Sequence, residues 1–331
     1  MSRDVSHQSD ILKIPTDSRG AFNRPASSFR NFIQAGGQFP PERGTWARTD
    51  RYHLYVSYAC PWASRTLIVR KLKALEDIIP VTVVSPRMGT DGWPFASADP
   101  FPGADADPLY QSRHVKDLYL RADPDYPGRF TVPVLWDKKR QTIVNNESSE
   151  IIRIFNAAFD ALLPPGEKAE LDLYPAELRG DIDELNGWVY DRINNGVYKA
   201  GFAKTPEAYR DAVEPLFEAL DRIEAKLEGN TYLVGGRLTE ADVRLFVTIV
   251  RFDPVYVGHF KCNIRTIRHG YPNIHRQVWL RGLYWQNDAF RATTNFEHIK
   301  THYYWSHPQI NPSRIVPIGP VPHILPLETD S

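Results

Sequence analysis

Cys60 is the residue best placed to do chemistry, within Tyr55-Val56-Ser57-Tyr58-Ala59-Cys60-Pro61-Trp62-Ala63. In sulfur chemistry the nucleophile is the thiolate, and a helix N-terminus favours it through unpaired amides and the positive end of the dipole. Pro61 suits a first helical position, because its fixed φ fits and its missing N–H would be unpaired there anyway. Cys60 is therefore predicted at a helix cap with a depressed pKa. Ala63 stands where a C-x-x-C pair would place its second cysteine, so a disulfide formed on Cys60 must be resolved by an external thiol. The competing reading is a buried, inert cysteine.

The elements that must position Cys60 follow from periodicity. Residues 52–56 read as a strand. Ala63, Leu67, Ile68, Leu72 and Leu75 recur at helical spacing, with Arg65, Arg70, Lys71 and Lys73 on the opposite side. Residues 78–85 form a second strand, and the βαβ unit implies a parallel pair. A long connection over 86–126 carries Trp93 and one helix at 109–120. Residues 129–137 read as a strand with a hairpin partner at 141–144. Pro133 is awkward inside a strand unless its bond is cis, which is the expectation here. A third helix opens after Asn145 and Asn146, with Ile151, Ile152, Ile154 and Phe155 as its apolar stripe. The order β-α-β-α-β-β-α is a thioredoxin-like layout over 47–160. Leu162-Leu163-Pro164-Pro165-Gly166 marks a boundary, and an all-helical domain is expected over 167–310. Within it, 208–227 is amphipathic, with Pro215 kinking the helix or marking its start. Thr239 and Asp242 form a capping box with Asp in place of the usual Glu. Residues 1–46 read as an irregular arm and 311–331 as an extended surface tail.

The chain has 331 residues, with Lys+Arg and Asp+Glu both at 40. A nucleic-acid partner would normally leave a basic excess, so none is expected. Two cysteines provide no disulfide framework. The polar start lacks the apolar core of a signal peptide, and no run approaches the ~18 apolar residues of a membrane span. A cytoplasmic protein without a membrane partner is the expectation. His259 and Cys262 lack two further zinc ligands at suitable spacing, and His298 and His302 lack a third histidine, so no metal is expected. No G-x-G-x-x-G or Walker-type loop points to a nucleotide.

Cys60-Pro61-Trp62-Ala63, the run from Val132 to Asp137, Asn146-Glu147-Ser148, and Tyr198-Lys199-Ala200-Gly201-Phe202 together resemble the glutathione transferase superfamily. The run from Arg251 to Tyr256, and His302-Tyr303 with Ile318-Gly319-Pro320, narrow the resemblance to its Xi class, the glutathionyl-hydroquinone reductases. The resemblance implies a homodimer with glutathione as co-substrate and glutathionylated quinones as substrates. Glutathione needs fixed donors, one anion and a place for sulfur. Ser148 at a helix start offers a hydroxyl and an N–H to the γ-glutamyl carboxylate. Glu147 can take the ammonium, and Val132 beside a cis proline can pair with the cysteinyl backbone. For Trp93, Arg129, Phe130 and Thr131 the glutathione contact rests on the resemblance. So do the catalytic roles of Tyr198 as proton donor, and of Tyr256 and Tyr303 as donors to the thiolate and the substrate oxygen. The alternatives are an Omega-like transferase with thioltransferase or dehydroascorbate reductase activity, and a non-catalytic scaffold of the same fold.

Overall fold

β1 (Tyr52–Val56) is buried along its whole length, and the rest of the first half of the chain is laid against it. The structure is a computed structural model describing residues 14–42, 51–275 and 278–327. α1 (Pro61–Leu72), β2 (Val81–Val83), α2 (Val115–Ala122), β3 (Val134–Asp137), β4 (Thr142–Asn145) and α3 (Ser148–Ala157) follow in the expected order. The sheet runs β2-β1-β3-β4, with β2 parallel to β1 and the other pairs antiparallel. Beyond α3 the long elements are all helical: α4 (Arg179–Val189), α5 (Gly196–Phe202), α6 (Pro206–Lys226), α7 (Glu240–Arg251), α8 (Leu280–Gln286) and α9 (Phe296–Ser306). Among the described residues no helix is long and apolar enough to cross a membrane.

Several element boundaries differ from the sequence expectation, each for a local reason. β2 is shorter than 78–85 because the N–H groups of Ile78 and Ile79 turn back onto Leu75 O. The helix expected at 109–120 starts at Val115, since the Asp107 carboxylate takes the N–H groups of Leu109, Tyr110 and Ser112 and closes a turn. β3 starts at Val134 rather than near 129. The carbonyls of Arg129 and Thr131 accept from Tyr126 and Tyr119, and that of Val132 from Cys60, so no strand ladder uses them. The Val132–Pro133 bond is cis, as expected. α6 begins at Pro206, capped by Thr205, whose hydroxyl accepts the Ala208 N–H at 3.1 Å; the helix runs through Pro215.

The charged side of α1 is not a solvent face. Arg65 and Lys73 are fully buried, because α1 is packed on one side by α3 and on the other by α7. Lys73 reaches Leu171 O at 2.7 Å and the Asp160 carboxylate at 2.7 Å. The arm also departs from a loose surface segment. Phe22, Ile33 and Phe39 are buried, Asn31 and Asn146 exchange backbone bonds with Val144 and Phe29, and Lys204 N–H binds Gly20 O. The arm boundary expected at 46/47 lies outside the described residues. The tail is pinned at intervals, with Lys300 on Ile318 O, Trp285 on Leu325 O, and Ile324 buried.

The capping box forms. Asp242 accepts from Thr239 N–H and Oγ1, and additionally from Leu233 N–H and Trp279 Nε1. Asp242→Ala removes the cap and strands two further donors, so it is expected to cost roughly 2–4 kcal/mol in a urea unfolding curve. A loss below ~0.5 kcal/mol would show that this network is dispensable.

Candidate active site

Cys60 is the N-cap of α1, with extended backbone at φ −75° and ψ 118°, and Pro61 occupies the first helical position. The turn before it is closed by Cys60 N–H to Ser57 O at 3.2 Å, and Ser64 N–H continues the helix onto Cys60 O at 3.0 Å. The side chain is buried and its S–H donates to Val132 O at 3.4 Å, across the cis peptide. Its acidity runs against the sequence expectation. Burial pushes the thiol above its ordinary 9.0, although the Ala63 and Trp62 amides and the charges of Arg251 and Arg24 pull the other way. The helix start is where it was predicted; the low-dielectric wall around the sulfur outweighs it.

Arg251, at the end of α7, fixes this turn from the helical half. Its guanidinium donates to Ala59 O, Tyr58 O and Ser64 Oγ at 3.1, 2.9 and 2.7 Å. In the sequence Arg251 stood only as the first residue of a run that carries the family resemblance, with no role of its own; a lone cation at the end of the apolar run 245–250 is itself the signal of a buried, bonded one.

Two adjoining clefts open beside Cys60. The first, an open space of about 820 Å³, is lined by Cys60, Trp93, Arg129, Tyr198 and Tyr303 among others. The second, about 1070 Å³, is lined by Val132, Glu147, Ser148 and Arm residues Arg24 and Ser27. Thr131 and Val132 border both. Glu147 caps α3 and Ser148 is its first residue, so the N-terminal turn of α3 borders the second cleft. Burial would raise the Glu147 carboxyl, but bonds from Ser149 N–H and Oγ, the Arg65 charge and Ser27 Oγ together hold it below its usual range. It is thus an anion facing a polar cleft. Arg65 reaches Ser148 Oγ at 3.4 Å and Asn194 Oδ1 at 2.9 Å. Phe130 borders neither cleft; its ring packs on Tyr119 and Tyr126. Trp93 is buried and stacks on His302, with ring centroids 4.4 Å apart.

The three tyrosines converge from separate elements: Tyr198 from α5, Tyr303 from α9, and Tyr256 from a π-helical turn, Phe252–Tyr256. The Tyr303 hydroxyl lies 2.6 Å from that of Tyr198 and 2.9 Å from that of Tyr256. Tyr198 and Tyr303 line the first cleft with Cys60, whereas Tyr256 stands behind Tyr303 and is fully buried. Burial raises all three phenols, so each remains protonated at neutral pH and can donate. His259 Nε2 and His307 Nδ1 are 3.0 Å apart, and Cys262 faces Phe260 O at 3.8 Å. Among the described residues no group of three or more His, Cys, Asp or Glu could hold a metal ion. Arg24, Ser27, Arg65, His302 and His307 were not foreseen as parts of this site. The arm residues lie in a stretch without periodicity, and Arg65 sat on the side of α1 assigned to charge.

A thioredoxin-like half presenting a capped cysteine to a helical half is the arrangement of the glutathione transferases, and the chain belongs to that family. The family models for the glutathione S-transferase N-terminal and C-terminal domains match residues 59–158 and 206–276. Within the family its place is the Xi class. A crystal structure of the Xi transferase of Phanerochaete chrysosporium is 70% identical, with a TM-score of 0.92 over 96% of this chain and 99% of that one. Glutathionyl-hydroquinone reductase YqjG of Escherichia coli is 57% identical over 91% of this chain and 89% of its own. Its glutathione-bound structure superposes with a TM-score of 0.82, at 54% identity over 90% of this chain and 95% of that one. Glutathione S-transferase omega-like 2 of Schizosaccharomyces pombe is 58% identical over 92% of this chain and 95% of its own.

Because burial dominates at Cys60, iodoacetamide alkylation of the free protein is expected to be still accelerating at pH 9. A rate that levels off near neutral pH would mean that the helix amides and the two arginines win instead.

Proposed function

We propose that the protein is a glutathione-dependent reductase that removes glutathione from glutathionyl-hydroquinones through a Cys60–glutathione mixed disulfide. The observation that carries this reading is the pair of phenol hydroxyls, Tyr198 and Tyr303, lining the same cleft as the buried thiol. Cutting a disulfide needs no proton delivered to carbon; cutting a carbon–sulfur bond on an aromatic ring does. The name of the Escherichia coli relative, glutathionyl-hydroquinone reductase, supports the same reading.

The γ-glutamyl carboxylate of the substrate sits at the start of α3, on Ser148 Oγ and the helix amides, and Glu147 takes the ammonium. Val132 pairs with the cysteinyl backbone like an added strand. Its carbonyl, which accepts from Cys60 in the free protein, is then engaged by the peptide, and the thiol loses the partner that favours its neutral form. Arg129, Thr131 and Trp93 border the same bound peptide. Tyr198 gives a proton to the ring carbon bearing sulfur while a ring hydroxyl gives up its own, producing a ketone tautomer. The 2.6 Å contact with Tyr303 offers the route by which that proton returns to Tyr198. Cys60 thiolate then attacks the thioether sulfur, and the C–S electron pair passes into the ring as an oxyanion stabilised by Tyr303. Protonation of this oxyanion gives hydroquinone. Tyr256, held behind Tyr303, positions it. A second glutathione thiolate attacks the mixed disulfide, releasing oxidised glutathione and Cys60, since Ala63 leaves no internal resolving thiol. The thioredoxin-like half through residue 160 thus binds glutathione, and the helical half from 167 supplies the proton chemistry.

Cys60→Ala should abolish reduction of both glutathionyl-menadiol and a simple glutathione mixed disulfide. Tyr198→Phe should lower kcat for glutathionyl-menadiol roughly 10- to 1,000-fold, the scale of one lost general acid or oxyanion donor, with mixed-disulfide reduction little changed. Equal slowing of both reactions, or of neither, would remove Tyr198 from the role of proton donor. Mixed-disulfide reduction by the wild type without any turnover of the ring adduct would instead mark an Omega-like thioltransferase.

A further inference from the structure

Arg24 is carried by the arm to the place where the two clefts meet, and it lines both. Three rings surround its guanidinium, with centroids 4.6 Å away for Tyr198, 4.8 Å for Trp62 and 5.2 Å for Phe22. Its Nε donates at 2.7 Å to Asn195 Oδ1, on the residue that precedes α5 and Tyr198. These contacts fix the plane of the guanidinium. They leave one end unused: Nη2 is buried and has no hydrogen-bond partner among the described residues. Keeping a charged donor desolvated and unpaired is costly, so such a group marks a place where a ligand supplies the acceptor.

The surrounding wall narrows the kind of acceptor. Arg129 lines the first cleft as well, and burial together with the nearby Arg24 charge holds its guanidinium below its ordinary pKa. Among the described residues lining this cleft there is no Asp or Glu. The remaining wall is largely aromatic, with Trp62, Trp93, Tyr198 and Phe202 facing the space. Flat apolar faces with two guanidiniums and no carboxylate fit an aromatic ring that carries negative charge on oxygen.

We propose that Arg24 is a specificity-determining residue whose Nη2 binds an anionic oxygen on the ring of the substrate. Adducts whose ring bears a carboxylate or an ionised phenol are then preferred over neutral ones. The proposal rests on the reductase reading, with the ring occupying the first cleft.

The test compares wild type, Arg24→Met and Arg24→Lys on four substrates. These are glutathionyl-menadiol as the neutral ring, glutathionyl-2,5-dihydroxybenzoate with a ring carboxylate, glutathionyl-nitrohydroquinone with an acidified phenol, and the ringless mixed disulfide of glutathione with mercaptoethanol. Arg24→Met should lower kcat/KM roughly 10- to 100-fold for one or both anionic rings, the scale of one charge-assisted hydrogen bond. Which of the two loses more identifies carboxylate or phenolate as the acceptor. Menadiol and mixed-disulfide turnover report what Arg24 does for the Cys60 thiolate and Tyr198, so the anionic rings should lose about tenfold more than these two, and Arg24→Lys should recover part of that difference. A loss of the same size on all four substrates would assign Arg24 to holding the arm and Tyr198. A loss centred on the mixed disulfide would assign it to glutathione itself. Either result, or no loss at all, overturns the proposal. Calorimetric binding of 2,5-dihydroxybenzoate to the free proteins gives a readout independent of turnover, expected to be about tenfold weaker in Arg24→Met. If wild type turned over no ring adduct, the reductase reading would fail, and this binding difference would still decide for or against Arg24.

Discussion

The carbonyls of Tyr58 and Ala59 face into the junction between the two halves of the chain, where only a buried donor can meet them. Arg251 is that donor. It holds both carbonyls and Ser64 Oγ, while a fourth bond, to Val247 O at 2.7 Å, closes the end of its own helix. Without it the turn that delivers Cys60 would carry unsatisfied polar groups in a dry interface, and α1 would lose its fixed relation to α7. The same guanidinium places positive charge near the sulfur and favours the thiolate. One side chain thereby couples packing, the path of the nucleophile's loop and the electrostatics of the thiol.

That coupling works against a strong opposing force. Cys60 is buried in the wall of the first cleft, against Val132 and near Tyr198 and Tyr303, and burial favours the neutral thiol. The Val132 carbonyl adds to this by accepting the S–H. A substrate that claims the Val132 backbone removes one of these two brakes, so in the proposed mechanism glutathione binding is itself part of thiol activation. The tyrosine cluster follows the same logic from the other side. Burial keeps its hydroxyls protonated, and their mutual hydrogen bonds direct two of them toward the cleft.

Elements governed by local chemistry were legible in the sequence. The Cys60-Pro61 cap, the order of strands and helices, the cis bond before Pro133 and the Thr239–Asp242 capping box each depend on a few adjacent residues. What escaped depends on the second half of the chain closing over the first. Arg65 and Lys73 looked like a charged face of α1 because nothing in their own helix indicates that α7 will cover it. Arg24 sits in an arm without periodicity, and its importance comes from ring faces contributed by positions 62 and 198. Tyr256 stands behind the cleft that Tyr198 and Tyr303 line, a difference in depth that no spacing reveals. Asp107 shortened a helix by collecting three N–H groups, because a side-chain-closed turn just ahead of an apolar stripe competes with the first helical turn without changing the stripe's spacing.

The central claim is that Cys60 sulfur takes glutathione from the ring. Mixing the protein with glutathionyl-menadiol in the absence of free glutathione, then measuring released menadiol alongside the intact mass, tests it most directly. The account predicts one equivalent of menadiol per active site and a glutathione adduct that peptide mapping places on Cys60. Menadiol release without an adduct, or with the adduct on Cys262, would contradict it.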